Sequence, residues 1–301
     1  MLKKSLRTAL LLAAATLLLT VTALADTGPK PLLTVKLENA PEELYYLDLL
    51  EEGALDYPPE SEYGELFYSH SEEELEVLFD HELLMALHAA VPEGWHACTV
   101  EGTNGAPMWG DICGEDAGSV RLHSFGYHGV PDEYRILIVC KSGEVWLSPE
   151  TYTRETLQSS VTVDLARGTV TVPSAARSYV LQSLGMLLPT ILVEGALLAL
   201  FGYRSRKSWL TFLAVNLVTQ GGFAVYLALT VLHHGVSGWS LLFYIPIEVV
   251  ITAVELLLYR RLLTERDKAR ASIYAAAANV CSAALGLWLI EPVWRWIVTL
   301  S

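Results

Sequence analysis

The C-terminal part of this chain is strongly apolar, yet it carries Glu194, Asn216, Gln220, Glu248, Glu255 and Asn279 inside stretches that otherwise read as lipid-spanning. An acid at the centre of a bilayer costs about 2.5–3.5 kcal/mol on insertion scales, so it is seldom retained there without a partner or a role. Two chemistries fit these residue types. Glu194 and Glu248 at one depth would make a polar site or a proton relay, with a neutral carboxyl hydrogen-bonding Asn216 or Asn279. The same side chains also tie helices together, each bond contributing about 1 kcal/mol. Both readings stand on the sequence. Glu248 and Glu255 are seven apart, so they share one helix face.

Four spans would position these groups, over residues 179–203, 209–232, 239–259 and 271–290. Each has about the 20 residues needed to cross a bilayer. Arg204, Arg206 and Lys207 join the first two spans, and Arg260, Arg261, Arg266, Lys268 and Arg270 join the last two. The connection from His233 to Gly238 has no Lys or Arg. The positive-inside rule therefore assigns loops 204–208 and 260–270 to the cytoplasm and both termini to the outer side, with Trp288, Trp294 and Trp296 at the outer interface. A rise of ~1.5 Å per residue puts Glu194, Asn216, Glu248 and Asn279 roughly 13–18 Å from the basic loops, and Glu255 at about 7 Å. Pro189, Pro246 and Gly221-Gly222 are positions where a span could bend, and Ser282 with Gly286 makes a small-x-x-x-small step.

The N-terminus reads as a secretory signal over residues 1–25. Lys3, Lys4 and Arg7 precede an apolar run to Val21, and Ala23-Leu24-Ala25 supplies a small-x-small cleavage site. The charge is divided unevenly. Residues 26–176 hold 28 acidic and 7 basic side chains, whereas residues 177–301 hold 6 and 10. An acidic exported domain excludes nucleic acid and anionic lipid as partners of its general field; the charge serves solubility first, with attraction of cations or basic partners as the alternative.

Residues 26–176 are long enough for one compact core. Alternation over 33–37 and apolar or aromatic runs over 44–50, 120–127, 134–140, 144–147, 159–165 and 169–172 predict strands. Ser142-Gly143 and Arg167-Gly168 are hairpin signals. Ser71 and Glu74 form a capping box ahead of Leu75, Leu78, Phe79, Leu83 and Leu87, which predicts one helix starting near Ser71. The stretch 53–64, with Pro58-Pro59, reads as a loop. Cys98 and Cys113 bracket a turn-rich segment and are the preferred disulfide pair of an exported domain. No catalytic or metal site is assigned and no cofactor is implied. His81-Glu82 opens an H-E-x-x-H pattern that fails at Met85, and Walker, G-x-S-x-G and dinucleotide fingerprints do not occur.

The opening Pro29-Lys30-Pro31 followed by LLTVKLENAPEELYYLDLL, and the later stretches VEGALLALFGYR, VNLVTQ, IEVVITAVELLLY and ANVCSAALGLWL, resemble an uncharacterised group of Gram-positive bacterial membrane proteins. The resemblance implies a signal, an exported β-rich domain and several C-terminal helices, and it carries over no residue roles. The expected fold is α+β: a small antiparallel β-rich exported domain with one helix over 26–176, then an all-α four-helix transmembrane bundle over 177–301. The expected role is a non-enzymatic sensor or accessory subunit of a cell-envelope complex in the plasma membrane, partnered by lipid and by another membrane protein or its own copies. A small transporter or channel component built on the Glu/Asn layer is the alternative.

Overall fold

The computed structural model describes residues 30–56, 66, 75, 77–234 and 244–300. The signal segment, the Ser71–Glu74 capping box and the Pro58-Pro59 loop lie outside the described residues, as do the side chains of His233, His234 and Glu248.

Strands β1 (Leu32–Glu38), β2 (Tyr45–Glu52), β3 (Trp95–Ala97), β4 (Trp109–Gly110), β5 (Glu115–Ala117), β6 (Val120–Gly126), β7 (Glu133–Cys140), β8 (Val145–Leu147), β9 (Tyr152–Thr153), β10 (Gln158–Asp164) and β11 (Thr169–Thr171) build two sheets. The first runs β11-β10-β1-β6-β4, with β5 also on β6; the second runs β3-β2-β7-β8, with β9 on β7. The ladders are antiparallel except β1–β10, which is parallel with Val35 opposite Val161. The two hairpin signals hold: Gly143 and Gly168 turn β7–β8 and β10–β11 in the left-handed region.

A period of two explains the packing. Leu33, Val35 and Leu37 of β1 face inward with Phe125, Val161 and Val163. They meet Tyr45, Leu47, Leu49, Tyr134, Ile136 and Ile138 of the other sheet. The opposite face of β2 and β7 is apolar too: Tyr46, Leu50, Leu137 and Val139 pack on Leu83, Leu84 and Leu87 of helix α1 (His81–Ala90). Burial on both faces is why these two strands read as nearly continuous apolar runs. Burying each such Leu or Ile contributes about 1.5–3 kcal/mol.

The predicted helical stretch is interrupted: Leu75, Val77 and Leu78 are helical, and after a break at Phe79 and Asp80 helix α1 begins. Asp80 is its N-cap, accepting the Leu83 N–H at 3.1 Å. The Asp80 N–H donates to the Tyr46 hydroxyl, and Lys141 pairs with its carboxylate. These contacts anchor a helix start at residue 80 and separate α1 from the helical turn at Val77 and Leu78.

Four helices follow: α2 (Ala175–Leu200), α3 (Arg206–His234), α4 (Tyr244–Leu262) and α5 (Lys268–Leu300). Ala175–Leu200 and Arg206–Tyr226 are long and apolar enough to cross a membrane. Lys268–Gly286 and Trp288–Leu300 make a third such span if the pair, bent by 50°, is taken as one. Pro292 explains a bend there, because its ring removes an N–H and crowds the carbonyl four residues back. Helix α4 is less apolar, with Glu248, Glu255, Arg260 and Arg261 among its 19 residues. His233 and His234 close α3 as helical residues, where the sequence predicted a loop.

Helices α2 and α5 approach closely. A Cβ at Gly185 would lie 2.5 Å from a methyl of Val293, so only glycine fits. At the far end of these helices the two basic connections meet. Glu265 accepts the N–H groups of Arg204 and Ser205 at 3.0 Å and the Ser208 hydroxyl at 2.8 Å, and Arg266 donates to the Gly202 carbonyl at 3.0 Å. These donors hold the Glu265 carboxyl down at about 2, led by the Arg204 and Ser205 backbone groups.

The near end of α5 docks on the sandwich. Trp294, Ile297 and Val298 cover Leu122 and its neighbours on the outer face of the first sheet. The Trp294 indole donates to the Thr34 hydroxyl at 2.9 Å, and Arg295 pairs with Glu115 at 2.6 Å. Trp294 is therefore buried at 4 % exposure, while Trp288 and Trp296 are open at 72 % and 55 %. This corrects the expectation that all three tryptophans share one interfacial belt. The order of layers is α5, sheet, sheet, α1.

Candidate functional site: a polar cluster across four helices

Helix spacing brings the cluster together. On α3, Asn216 and Thr219 are three apart; on α4, Thr252, Glu255 and Tyr259 follow at steps of three and four, so each set lies on one face. Glu194 comes from α2 and Asn279 from α5. Glu194, Asn216 and Glu255 are at most 1 % exposed.

The cluster has two halves. In the first, the Asn216 amide donates to Glu194 Oε2 at 3.1 Å and to the Tyr259 hydroxyl at 2.9 Å. In the second, Glu255 accepts from the Thr219 hydroxyl at 2.6 Å and from the Asn279 amide at 2.9 Å. The Asn279 carbonyl accepts from Thr252 at 3.1 Å. Thr219 joins the halves, its hydroxyl lying 3.4 Å from the Asn216 backbone carbonyl. The Asn216 side-chain oxygen is buried with no hydrogen-bond partner. Below the cluster, Tyr203, Tyr259 and Tyr274 pack with Phe212 and Leu198 into an apolar plug.

Four of the predicted residues therefore meet: Glu194, Asn216, Glu255 and Asn279. Glu255 accepts from two neighbouring helices, although its estimated depth set it apart from Asn279. The bonds show that residues of unequal chain distance from the loops meet. Gln220 is half-buried, and among the described residues no hydrogen bond joins it to the cluster. Glu248 falls on α4 with its side chain outside the described residues. Sequence reasoning missed Thr219, Thr252 and Tyr259. Each lies three or four residues from Asn216 or Glu255, so the helical repeat was the signal that would have found them.

The sandwich holds its own buried polar groups. Asp48 on β2 is fully buried and accepts the backbone N–H groups of Leu49, Thr99 and Val100 at 2.8–3.1 Å. Burial raises its pKa to about 6, against the pull of those donors. His123 on β6 is fully buried between the Tyr45 hydroxyl at 3.0 Å and the Asp111 carbonyl at 3.1 Å, and burial lowers its pKa to about 4. A cleft of about 560 Å³ opens at one edge, lined by Glu51, Trp95, Asn104, His128, Asp132 and Arg154 among others.

Cys98 and Cys113, the expected disulfide, are both thiols here. They belong to different apolar clusters. Cys98 lies between the two sheets, and Cys113 packs on the α1 side. Alternation along the strands explains the separation, since adjacent residues around Ala97-Cys98 face opposite ways. Among the described residues one group could hold a metal ion: Glu51, His96 and Cys98, whose ligand atoms lie within 4.8 Å of one another. The chain matches no protein-family model, no curated protein and no solved structure, so its function is read from this geometry.

Proposed function

We propose that the chain is a non-enzymatic sensor or accessory subunit of a cell-envelope complex in the plasma membrane, of the Gram-positive type it resembles. In this reading α2–α5 form a four-helix transmembrane bundle. The sandwich and the C-terminus lie outside, and the two basic connections lie in the cytoplasm. The supporting geometry is that α2 begins and α5 ends beside the sandwich, with Arg177 donating to the Leu300 carbonyl at 3.0 Å, while both basic connections meet at the opposite end. This arrangement supports an even number of passes. Leu192, Val218 and Leu257 are apolar and exposed on the helices, as lipid contact requires.

One observation carries the sensor reading. Helix α5 is docked on the outer face of the sandwich through Trp294 and Arg295, and the same helix supplies Asn279 to the polar cluster. In this reading a shift of the sandwich is passed along α5, across its bend, to the bonds at Glu255. Coupling of this kind needs an element with two arrangements that both sites bias. The cluster is suited to be that element, because it ties four helices by a few exchangeable bonds.

A transporter or channel component is the second reading. The orphaned Asn216 oxygen beside Glu194 favours it, since a buried acceptor without a donor suits a passing water or proton. Affinity capture of the full chain from its membrane separates the two. A stoichiometric membrane partner supports the subunit reading. Recovery of the chain alone, with proton flux in liposomes abolished by Glu194→Gln, overturns it.

A further inference from the structure

His96 and Glu51 stand directly opposite each other in the β2–β3 ladder, so their side chains project from the same face. Cys98 is two residues beyond His96, and its N–H donates to the Leu49 carbonyl at 2.8 Å, which extends the pairing past the end of β3. A period of two puts Cys98 on the face of His96. His96 and Cys98 are 3 % and 0 % exposed. Glu51 reaches the solvent side, where it lines the cleft together with Gly53 and Trp95.

The orientation of the His96 ring is fixed. Its Nδ1 lies 2.8 Å from the Gly53 carbonyl, which can only accept, so Nδ1 carries a proton. Nε2 then faces Glu51 Oε2 at 3.4 Å and is buried without a hydrogen bond. A histidine that donates one ring N–H to a backbone carbonyl and aims the other nitrogen at a carboxylate, with a thiol beside them, has the outer-shell arrangement of a metal ligand. We propose that Glu51, His96 and Cys98 bind one divalent transition ion of the zinc class, whose fourth coordination position faces the adjoining cleft.

The dimensions are suitable. Bonds of about 2.3 Å to sulfur and 2.0–2.2 Å to nitrogen and oxygen imply tetrahedral ligand–ligand edges of roughly 3.3–3.6 Å. The His96–Glu51 edge already has that length at 3.4 Å, and the widest separation in the group is within 4.8 Å. Closing on an ion asks for about 1 Å of movement, within the reach of one side-chain adjustment. A thiolate excludes calcium and magnesium, which take oxygen ligands. Three protein ligands beside an open cleft match an ion with an exchangeable position rather than a closed structural site. The excess of acidic side chains in residues 26–176 favours cation entry. The inference is independent of the coupling through α5.

The test uses the full chain in detergent, stripped with chelator and titrated with Co²⁺, then with Zn²⁺. One cobalt per chain is expected, with a thiolate-to-cobalt charge-transfer band that Zn²⁺ removes. The band should persist in the triple variant Cys113→Ser/Cys140→Ala/Cys281→Ser. It should vanish in Cys98→Ser, with affinity weakened more than about 100-fold in His96→Gln. Should either ligand variant fail to fold, the triple variant alone decides, since Cys98 is then the sole thiol. No stoichiometric cobalt, a spectrum without a sulfur band, or a band that survives Cys98→Ser overturns the proposal and leaves a His96–Glu51 ion pair beside an inert thiol.

Discussion

His123 allows a sharp test of how the sandwich is held together. The Asp111 carbonyl requires a proton on Nδ1, so Nε2 accepts from the Tyr45 hydroxyl and the ring is neutral. Its pKa is about 4 in the folded chain, against about 6.5 when unfolded. The folded pKa is the lower one, so the stability this site contributes is complete above pH 6.5 and is lost as pH falls towards 4. At pH 5 the loss is about 2 kcal/mol, and it approaches about 3 kcal/mol below pH 4. Asp48 works in the opposite sense. Its folded pKa is raised to about 6, so acidification relieves a strain present at neutral pH and returns about 1 kcal/mol by pH 5. The raw pH profile is thus partly cancelled, and only a difference isolates the histidine. The assay is denaturant unfolding of the full chain in detergent at pH 7.5 and pH 5, read by near-UV circular dichroism, for wild type and His123→Gln. The variant keeps a donor and an acceptor but does not titrate. The stability gap between the two proteins should change by about 2 kcal/mol between the two pH values. A gap that stays constant within about 0.5 kcal/mol refutes a neutral, buried imidazole at this position.

Replacing Trp294 by Ala removes a nearly fully buried indole and its bond to Thr34, at a cost of about 3–5 kcal/mol, and should speed hydrogen exchange in β1 and β6; Trp294→Phe should lose only about 1 kcal/mol. Unchanged exchange in Trp294→Ala would mean that α5 does not hold the sandwich. Glu255→Gln should leave the thermal midpoint in detergent nearly unchanged, whereas Glu255→Leu strands Thr219 and Asn279 and costs about 1–2 kcal/mol. Equal melting of the two variants would remove the cluster from the stability of the bundle. Glu265→Ala frees the donors of Arg204, Ser205 and Ser208, so trypsin should cut at Arg204 and Arg206 faster than in wild type, with cleavage rates followed by mass spectrometry.

The strands with strict alternation or long apolar runs were legible, because burial of one or both faces writes itself into neighbouring residues. The short strands β3, β4, β5 and β9 were not, since two or three residues cannot display a period, whereas the equally short β8 and β11 were marked by the Ser142-Gly143 and Arg167-Gly168 turns before them. The parallel β1–β10 pair was also hidden, because the pairing of distant strands leaves no local mark. In the membrane half, Glu194, Asn216, Glu255 and Asn279 stood out by their cost in lipid, and they do meet. Thr219, Thr252 and Tyr259 blend into an apolar helix and emerge only when neighbouring helices are placed. The Glu51, His96 and Cys98 group escaped for a related reason. It comes from two strands, and His-x-Cys on a strand is too short a pattern to register without its partner. The cap at Asp80 was not legible either, because the Tyr46 hydroxyl and Lys141, both remote in sequence, fix its position.

The bond between Thr34 and Trp294 joins residues 260 apart, the first strand to the last helix. That separation dictates an order of assembly. Strand β1 is synthesised early, but its parallel neighbour β10 arrives more than a hundred residues later, and the outer face of their sheet is sealed only when the final turns of α5 are made. During biogenesis the sandwich therefore waits, half-finished, for the helices to be laid down, with Leu32, Leu122 and Val120 uncovered. Exposed sheet surface of this kind is what chaperones and proteases recognise. Loss of the eight residues from Trp294 to Ser301 would remove Trp294, Ile297 and Val298 together and leave that sheet face bare. Trp294, Ile297 and Val298 thus act as a seal on that sheet face, and charged substitutions at Ile297 or Val298 lower yield in a way that charged substitutions at exposed helix positions such as Leu192 do not.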